Sequence, residues 1–422
     1  MADSLPLIAD LDPVDESTVT PPWRDRLTAL DLTPPQLLFP QTLPALQAVI
    51  RHLHHSGGTM RPCGTGTKLT WGGIGRPVDY LVSGAALDRV IDHAVGDLTI
   101  TVEAGISLAA VQAHLAPTGQ FLPLDPAYPD QATLGGIVAT ADAGSWRQRY
   151  GGVRDLLLGM TMVRADGAIA KAGGRVVKNV AGYDLMKLLT GSFGTLGMLA
   201  ELTFRTYPRP ETMATRVLTG SAEAIATTTQ TLLNSTLTPV RLDLLNGSLV
   251  RAGGGRGALG LGVEFASIAA SVAVQLDQLD AIATQQGLTI TTPAPDFWDT
   301  LTATVRTPAH RDAITARFGV LPAALPDLLA NLPTTAIALG NGGSGLGFCQ
   351  FPAGITADQL RRVRRQCAQQ RGFFTLLDAP AALKQTIDPW GYPGNAIALM
   401  RQVKQSFDPQ NGFSPGIFVD GI

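Results

Sequence analysis

Cysteine is scarce in this chain, which has three cysteines among 422 residues. Cys63, Cys349 and Cys367 lie far apart and form no C-x-x-C pair, which argues against a disulfide framework and against a structural zinc site. The same cysteines are too few for an iron–sulfur cluster, which takes a complete set of cysteine ligands. Any electrons that this protein accepts must therefore leave through another molecule.

Charged residues are also few, at 16% of the sequence against 45% apolar residues. The formal net charge is −2, so no basic face indicates nucleic acid or anionic lipid as a partner. No apolar run approaches the roughly 18–20 residues that a membrane span requires, and the acidic N-terminus lacks the basic head of a signal peptide. The sequence therefore predicts a cytoplasmic protein.

The chain length predicts two to three domains, because single domains usually contain about 100–200 residues. Residues 1–30 are rich in proline and acidic residues, and we expect them to form a loosely ordered arm. Strand and helix signals then alternate regularly until Pro208 and Pro210 interrupt the pattern, so we place a domain boundary there.

Hydrophobic periodicity predicts both helices and short strands, which is typical of an α+β protein. The elements predicted before the boundary are a helix over Leu43–His55, strands over Met60–Cys63, Leu81–Ser83 and Leu98–Glu103, a helix from Ser107 to about Gly119, and strands over Leu158–Arg164 and Leu196–Tyr207. The elements predicted after it are helices over Ser221–Asn234, Ser267–Gln286, Thr356–Gln370 and Asn395–Phe407, with strands over Thr335–Leu339, Gly345–Phe351 and Phe373–Asp378. The ββαβ order in this second part suits an antiparallel sheet with helices on one face.

The stretch Arg61–Gly73 reads RPCGTGTKLTWGG and is unusually rich in glycine and threonine. Glycine lets the backbone adopt positive φ and approach a ligand closely, and successive N–H groups form an anion-binding nest. Between Pro62 and Gly73 the only residue with a formal charge is Lys68. Taken alone, the pattern fits a simple turn cluster at least as well as a phosphate site.

Three further segments follow this loop in a fixed order, and they reduce the ambiguity. They are Gln131–Gly136, Tyr150–Asp155, and Ala181–Leu185 continuing through Gly191–Gly197. Together the four segments resemble the FAD-binding family of vanillyl-alcohol oxidase and p-cresol methylhydroxylase type, from about Pro40 to Pro210. The tail near Asp408–Phe418 is similar to that family's C-terminal return. The resemblance implies an α+β protein with a two-part FAD-binding domain, residues 31–210 and 386–422, and a ferredoxin-like antiparallel-sheet cap domain, residues 211–385.

The resemblance also implies a set of FAD-binding residues. Those expected to hold the pyrophosphate are Pro62, Cys63, Gly64, Thr65, Gly66, Thr67 and Lys68, and those expected to approach it are Thr133, Gly135 and Gly136. Those expected to border the flavin or ribityl chain are Ala143, Gly144, Gly151 and Val153, and those expected to contact it by backbone are Gly197 and Met198. For the later glycines, a simple turn is the alternative. Neither the first loop nor the segment Ala139–Gly144 has the histidine or cysteine that attaches flavin in some members, so the FAD is predicted to be noncovalent.

Catalytic members of this family have a motif of the form H-x-G-D-G-N-x-H in the cap domain, which supplies a base and metal ligands. The comparable segment, Ala338–Phe348, reads ALGNGGSGLGF and lacks both histidines and the aspartate. Oxidation of a 2-hydroxy acid needs a base, and histidine is the usual one. Autonomous dehydrogenation is therefore in doubt, and the sequence assigns no catalytic residue and no metal ligand.

Other charged and titratable residues each have a functional and a simpler interpretation. His52, His54 and His55 lie on a peripheral predicted helix, and His93 and His114 lie away from the flavin motifs. His310, with Arg306 and Arg311 beside it, is either a carboxylate anchor or part of a solvated basic loop. Lys178 either stabilises reduced flavin or forms a surface ion pair. Arg147, Arg149 and Arg154 bind either flavin phosphate or a neighbouring subunit.

The segment Lys178–Leu185, KNVAGYDL, is most similar to FAD-binding subunits of glycolate-oxidising enzymes. The resemblance implies a subunit that works with a catalytic flavoprotein subunit and an iron–sulfur subunit in converting glycolate to glyoxylate. Such a subunit relays electrons or supports assembly, and it reaches a membrane only through its partners. Two alternatives stay open: an independent FAD-dependent 2-hydroxy-acid dehydrogenase, and a structural subunit with a vestigial flavin site.

Overall fold

The computed structural model describes residues 36–175, 183–308, 310 and 312–422. The described residues form two compact units. The first unit contains the described residues up to Ala143, together with Gly152–Pro208 and Tyr392–Ile422, and the second contains Gly144–Gly151 and Arg209–Gly391. The predicted N-terminal arm lies outside the described residues.

The first unit contains three sheets. Its strands, in chain order, are β1 (Gln36–Leu38), β2 (Met60–Cys63), β3 (Tyr80–Ser83), β4 (Val90–Ala94), β5 (Thr99–Glu103), β6 (Gln120–Phe121), β7 (Leu157–Val163), β8 (Ile169–Gly173), β9 (Met198–Arg205) and β10 (Tyr207–Pro208). A parallel sheet has the order β1-β3-β2, an antiparallel sheet has the order β4-β5-β9-β7-β8, and β6 pairs with β10. The loop after β2 is the glycine-rich stretch.

The α-helices of both units are numbered along the chain. They are α1 (Leu43–Ser56), α2 (Leu108–Leu115), α3 (Leu134–Thr140), α4 (Arg147–Tyr150), α5 (Val153–Leu156), α6 (Leu185–Leu189), α7 (Ala222–Leu233), α8 (Gly247–Ala252), α9 (Ala269–Gln285), α10 (Phe297–Arg306), α11 (Leu325–Ala330), α12 (Ala357–Gln369), α13 (Ala381–Thr386) and α14 (Ile397–Phe407). Short 3₁₀ turns cover Val95–Asp97, Ala116–Thr118, Pro322–Ala324 and Val419–Gly421. None of the helices in the described part of the chain has the length and apolar character needed to cross a membrane.

Helix α1 begins at the predicted residue, Leu43, and ends at Ser56, one residue after the predicted end. The Thr42 hydroxyl accepts a hydrogen bond from the N–H of Ala45 at 3.2 Å, which caps the first turn. Gly57 ends the helix in the left-handed conformation, with φ 72°. The side chains buried along one face are Leu46, Val49, Ile50 and Leu53. This spacing of three and four residues is the periodicity from which the helix was predicted.

Six of the eight predicted strands differ from the observed ones by one or two residues at an end, and for two of them the structure shows a local reason. Strand β5 begins at Thr99 rather than Leu98, because Leu98 adopts φ 54° and closes the preceding 3₁₀ turn. Strand β16 covers Ile337–Asn341 rather than Thr335–Leu339. The N–H of Ala336 is bound by the carbonyl of Pro333 at 2.8 Å, so the chain is still in a turn at Ala336.

The second unit contains one eight-stranded antiparallel sheet. Its strands are β11 (Thr212–Gly220), β12 (Arg241–Asn246), β13 (Leu259–Ser267), β14 (Thr289–Thr291), β15 (Ile314–Gly319), β16 (Ile337–Asn341), β17 (Leu346–Phe351) and β18 (Phe373–Asp378). The sheet order is β14-β11-β13-β12-β16-β17-β15-β18. Within each half the strands follow the order 4-1-3-2 when they are numbered along the chain. Each half is therefore a ferredoxin-like βαββαβ motif.

The two ferredoxin-like motifs join at the middle of the sheet, where β12 pairs antiparallel with β16. Asp243 lies opposite Asn341, and Leu244 lies opposite Gly340. Helices α7 and α9 connect the strands of the first motif, and α11 and α12 connect those of the second. Helix α12 begins at a capping box, since Thr356 and Gln359 bond reciprocally to each other's backbone N–H. The α+β class predicted from sequence is confirmed.

Candidate functional site

A pocket that opens to solvent lies in the first unit beside the glycine-rich loop. Its walls come from the loop after β2, from α3, from the turn before β9, and from Ile417 in the C-terminal tail. These segments are far apart in sequence and are brought together by the two larger sheets of the unit.

The glycine-rich loop makes a sharp turn at the pocket wall. Gly66 has φ 80°, a left-handed conformation that favours glycine, and its carbonyl accepts a hydrogen bond from Leu69 N–H at 3.3 Å. Thr65 Oγ1 donates to the carbonyl of Gln131 at 2.7 Å, and Ser83 Oγ donates to the carbonyl of Gly64 at 2.9 Å. Hydrogen bonds from neighbouring segments thus fix the loop at Gly64 and at Thr65.

Helix α3 packs directly against this loop. Thr133 caps the helix, since its Oγ1 accepts a hydrogen bond from Gly136 N–H at 3.2 Å. A Cβ on Gly64 would overlap the Thr133 side chain, and a Cβ on Gly135 would lie 2.9 Å from the carbonyl oxygen of Ala104. Glycine at these positions therefore allows the loop, the helix and β5 to approach one another.

Lys68 lines the pocket, but its charge is balanced inside the protein. Its Nζ lies 2.6 Å from Asp142 Oδ2, and the two side chains are 6% and 0% exposed. Asp142 also accepts a hydrogen bond from Ala127 N–H at 3.0 Å, and the ammonium lies 5.2 Å from the ring centroid of Trp71. The charge that the sequence analysis assigned to a phosphate is thus already paired with a carboxylate.

Arg61 is a pocket residue that the sequence analysis did not include in the site. It lies at the second position of β2, is 4% exposed, and its Nη1 donates to the carbonyl of Leu69 at 3.4 Å. Its Nε and Nη2 are buried and have no hydrogen-bond partner among the described residues. Burial lowers the pKa of this guanidinium to about 10, so it is still a cation at neutral pH. An arginine in an otherwise apolar strand immediately before a glycine loop was the signal available in the sequence.

The C-terminal tail completes the pocket by pairing with β2 and with the end of the loop. Met60 N–H donates to the carbonyl of Gly412 at 2.7 Å, Ser414 N–H donates to the carbonyl of Met60 at 2.8 Å, and Gly73 N–H donates to the carbonyl of Ile417 at 2.8 Å. These bonds hold Ile417 at the pocket wall.

Lys404 fixes the tail from helix α14. Its Nζ donates to Asp408 Oδ2 at 2.6 Å, to the carbonyl of Phe413 at 2.8 Å, and to the carbonyl of Thr195 at 2.9 Å. Burial lowers the pKa of Lys404, and the Asp408 carboxylate partly offsets this shift. All three ammonium protons are therefore used in joining α14, the tail and the turn before β9.

Most of the predicted site residues meet in this pocket. The ones that line it are Pro62, Cys63, Gly64, Thr65, Gly66, Thr67, Lys68, Thr133, Gly135, Gly136, Gly197 and Met198. Ala143, Gly144, Gly151 and Val153 are not among the described residues of its wall. Gly144 and Gly151 belong to the second unit, while Ala143 and Val153 are buried in the core of the first. Lining residues absent from the predicted set include Gly84, Gly105, Phe193 and Ile417.

The hairpin between β16 and β17 carries the segment that replaces the histidine motif. Asn341 Nδ2 lies 3.3 Å from Asp243 Oδ1, and Asn341 Oδ1 accepts hydrogen bonds from the N–H and Oγ of Ser344 at 2.9 and 2.8 Å. Asp243 is fully buried and also accepts a hydrogen bond from Ser145 Oγ. Asp243, Asn341 and Ser145 thus form a buried network of carboxylate, amide and hydroxyl groups, with exposed Ser344 at its edge, and the hairpin contains no histidine.

The remaining candidate residues are spread over the two units. His310 is exposed. His93 and His114 have ring centroids 5.3 Å apart, and His93 Nε2 lies 3.3 Å from Gln120 Oε1. Arg147 and Arg149 lie on α4 of the second unit, and Arg154 lies on α5 of the first. Lys178, Gly182 and Arg311 lie outside the described residues.

Residues 34–173 match the family model of the FAD binding domain. The chain carries an FAD binding domain. Its cofactor is FAD, as predicted, and the predicted α+β fold with an FAD-binding domain of p-cresol methylhydroxylase type is confirmed. Alkyldihydroxyacetonephosphate synthase has a similar fold, with a TM-score of 0.66 and 15% identity over 90% of this chain and 76% of that one.

Two relatives indicate the chemical class of this FAD-binding chain. It is 41% identical over 143 residues to the glycolate oxidase subunit GlcE of Escherichia coli (strain K12), which covers 32% of this chain and 40% of GlcE. It is 29% identical over 433 aligned positions to the probable mitochondrial D-lactate dehydrogenase of Danio rerio, which covers 91% of this chain and 84% of that protein. By these similarities the chain is an FAD-dependent oxidoreductase related to glycolate oxidase and 2-hydroxy-acid dehydrogenases.

One structural feature of the first unit's pocket fits a dinucleotide cofactor. The glycine loop brings backbone rather than side chains to the pocket wall, which is what a diphosphate needs for close approach.

Proposed function

We propose that this chain is a GlcE-like, FAD-binding subunit of a complex that oxidises glycolate to glyoxylate. It works with a catalytic flavoprotein subunit and an iron–sulfur subunit, and it relays electrons or supports assembly. The observation that carries the proposal is a contrast within the chain: the pocket beside the glycine loop is intact, whereas the hairpin at 338–348 has no histidine. A chain of this kind holds the cofactor but lacks the base expected of a catalytic member.

The proposal includes an assignment of domains and of cofactor contacts. Residues 31–210 and 386–422 form the FAD-binding domain, and residues 211–385 form the cap domain. The loop Pro62–Lys68 holds the diphosphate, with Thr133, Gly135 and Gly136 close to it, while Gly197 and Met198 contact the flavin by backbone. Ala143, Gly144, Gly151 and Val153 border the flavin or the ribityl chain. No described thiol or imidazole is assigned to a covalent flavin link, so the FAD is held by noncovalent contacts alone.

When bound, FAD supplies an acceptor for two electrons. The residues of this chain bind it, orient it and exclude water from it: the glycine loop provides backbone donors, and Trp71, Leu199 and Ile417 provide apolar walls. Removal of the proton from the glycolate hydroxyl is assigned to the catalytic partner, because oxidation of a hydroxy acid requires a positioned base. The complex is cytoplasmic, or it is associated with a membrane through the partner subunits.

A second candidate is an independent FAD-dependent 2-hydroxy-acid dehydrogenase. The similarity to the Danio rerio D-lactate dehydrogenase favours it, because that alignment covers 91% of this chain and therefore includes the second unit. In this candidate the base is supplied by a residue other than the missing histidines. His310 is the histidine of the second unit that is available as a base to this candidate. It is exposed, and buried Arg306 lies near it in sequence.

The purified holoprotein distinguishes these candidates. We expect it to show a flavin absorbance spectrum, to release FAD on acid precipitation, and to keep its absorbance when glycolate or D-lactate is added without oxygen. Pull-down of the chain should recover a second flavoprotein and an iron–sulfur protein. Bleaching by either substrate would instead establish the independent dehydrogenase. A chain that neither contains FAD nor takes it up would favour a structural subunit with a vestigial site.

A further inference from the structure

We propose that Lys404 is a positioning residue of the cofactor pocket. It holds the C-terminal tail, residues 408–422, against the turn before β9, and this placement sets the affinity of the pocket for FAD. The inference rests on the proposed assignment of the first unit's pocket to FAD. It goes beyond that assignment by naming a residue that is not among the described residues of the pocket wall. Lys404 acts on the cofactor through the segments that it joins.

The two segments joined by Lys404 both reach the pocket wall. The turn before β9 contributes Phe193 and Gly194, and the tail contributes Ile417. The turn and the tail also contact each other, since the ring centroids of Phe193 and Phe418 lie 6.0 Å apart. A shift of the tail relative to the turn would therefore change the shape of the wall that meets the cofactor.

The hydrogen bonds of Lys404 determine where the tail lies. Its Nζ lies 2.6 Å from Asp408 Oδ2, and it donates to the carbonyls of Phe413 and Thr195 at 2.8 and 2.9 Å. The side chains of Lys404 and Asp408 are 8% and 1% exposed, so these bonds are shielded from water. An ammonium group has three donors on a single atom. One side chain can thus link a helix, the tail and the turn, which a neutral side chain of similar length cannot do.

The counter-charge of Lys404 extends this link to β2. Asp408 also accepts hydrogen bonds from the N–H groups of Gly412 and Phe413, at 3.0 and 2.7 Å. Phe413 forms a parallel β-bridge with Met60, and Met60 N–H donates to the carbonyl of Gly412 at 2.7 Å. The ion pair therefore fixes the turn that returns the chain to the strand before the glycine-rich loop.

Beyond this bridge the tail contacts the end of the glycine-rich loop. Gly73 N–H donates to the carbonyl of Ile417 at 2.8 Å, and Arg76 N–H donates to the carbonyl of Pro415 at 2.8 Å. A Cβ on Gly73 would lie 2.9 Å from the Ile417 carbonyl oxygen, so the loop and the tail are in close contact there. By holding the tail, Lys404 sets the position of two pocket walls relative to each other.

Flavin fluorescence titration of the apoprotein tests the inference with Lys404→Met. Methionine has a similar length but no donor and no charge. We expect FAD affinity to fall by about 10-fold, equivalent to the loss of about one hydrogen bond to the cofactor, because the wall is displaced. Lys404→Arg keeps the cation and several donors, so it should restore most of the affinity.

Arg401→Met is the control matched for location. Arg401 lies on the same helix and forms an ion pair with Asp420 of the same tail, but both side chains are largely exposed. Exposed ion pairs contribute little, so this substitution should leave FAD affinity unchanged.

Leu115→Ala is the control matched for loss of stability. Lys404→Met leaves Asp408 buried without its counter-charge, which lowers the melting temperature. Leu115 is fully buried on α2 in the core of the first unit and is not among the described residues of the pocket wall. Leu115→Ala should also lower the melting temperature, but it should keep the FAD affinity of the folded protein.

Hydrogen exchange of the native protein, followed by mass spectrometry, gives a second measurement. The amides to follow are those of Met60, Gly73 and Ser414, which donate between the tail and the rest of the unit. They should exchange faster in Lys404→Met than in the unaltered chain, and FAD should slow their exchange in the unaltered chain. The comparison with and without FAD needs no variant, and Lys404→Gln replaces Lys404→Met if methionine prevents folding.

The possible outcomes separate this inference from the proposal on which it rests. Unchanged FAD affinity in Lys404→Met, or tail amides that FAD does not protect, would overturn the inference and leave the FAD pocket in place. Equal losses of affinity in Lys404→Met and Leu115→Ala would show that Lys404 only supports the fold, and would overturn it as well. An unaltered chain that binds no FAD would overturn the pocket assignment itself, and the inference with it.

Discussion

Two glycine-rich stretches of this chain look alike in sequence but differ in structure. The first, residues 61–73, forms one wall of the pocket in the first unit. The second, residues 338–348, is a hairpin in the second unit whose glycines face the protein's own side chains. A Cβ on Gly340 would lie 2.6 Å from Leu325 Cδ1, and a Cβ on Gly347 would overlap Phe318 and the Leu339 carbonyl. Glycine in the first stretch allows the loop to pack closely on Thr133 and on the C-terminal tail at the pocket wall, and in the second it makes room for the core.

The difference follows from the strands that each stretch connects. The first stretch leaves the end of β2 in a parallel sheet and must cross to another part of the unit before β3 begins. The second joins β16 and β17, which are antiparallel neighbours, through a tight turn closed by Asn341 and Ser344. The glycines of the hairpin meet side chains of the second unit, such as Leu325 and Phe318, whereas the crossover loop meets α3 and the C-terminal tail. Composition alone therefore does not identify a binding loop.

The charged groups of the two stretches differ in the same way. In the first, Lys68 is balanced by Asp142 and Arg61 is balanced by no described residue. The second contains no charged residue, and its Asn341 Nδ2 lies 3.3 Å from a carboxylate oxygen of buried Asp243 on β12, which also accepts a hydrogen bond from Ser145. The first stretch thus contains buried charges of its own, whereas the second supplies a neutral donor to a carboxylate of another strand.

The largest effect is expected from Gly66→Val in the first stretch. Valine is strained at φ 80° and displaces the turn, at a cost of about 1–3 kcal/mol in the free energy of unfolding. Displacement also removes backbone hydrogen bonds to the diphosphate, each of about 1.5–3 kcal/mol. We expect FAD affinity to fall by about 100-fold or more, measured by fluorescence titration of the apoprotein, while the circular dichroism spectrum stays native.

Gly57→Val is the control for this substitution. Gly57 has a similar φ of 72°, and nothing lies within 4 Å of a Cβ placed there. It ends helix α1 and does not line the pocket, so its substitution should reproduce the strain without the loss of FAD. If the two variants lost FAD equally, the loop would not be the phosphate site.

A smaller effect of a different kind is expected from Gly347→Ala in the second stretch. The added methyl group would press on Phe318 and on the backbone of Leu339, and overpacking of this kind costs about 1–3 kcal/mol. We expect the midpoint of urea unfolding to fall while FAD affinity of the folded protein stays unchanged. A variant that kept its stability but lost FAD would reverse the distinction between the two stretches.

The sequence predicted six of the fourteen α-helices and eight of the eighteen strands among the described residues, and the ends of several of these are set by local chemistry. Helix α1 begins at the Thr42 cap and ends at Gly57, and α12 begins at a capping box, all of which are readable from residue types. The second ferredoxin-like motif was predicted only as ββαβ, because pairing of β15 with both β17 and β18 is a long-range property. Strand order within a sheet leaves no local trace in the hydrophobic pattern.

The candidate site shows the same limit in its charges. The glycine loop was identified from composition, and its residues line the pocket. The pairing of Lys68 with Asp142 was not predicted, because the two residues are separated by 74 positions and meet only through packing of α3 on the loop. Without that pairing, Lys68 appeared to be the charged group of the site. Arg61 then seemed to be an ordinary strand residue.

The smallest effect that separates the two stretches is the reactivity of their thiols, which leaves the fold intact. Cys63 is partly exposed at the pocket wall, while Cys349, at the end of the second stretch, and Cys367 are fully buried. Burial raises the pKa of Cys349 well above its usual value and that of Cys367 to about 12.

Since thiolates are the reactive form, we expect Ellman's reagent at pH 8 to modify Cys63 alone in the native apoprotein and all three cysteines in guanidinium chloride. FAD should slow the reaction of Cys63, and Cys63→Ser should abolish the native reaction. Rapid modification of Cys349 in the native protein would mean that the second stretch is open in solution, and the contrast between a ligand loop and a core hairpin would then be wrong.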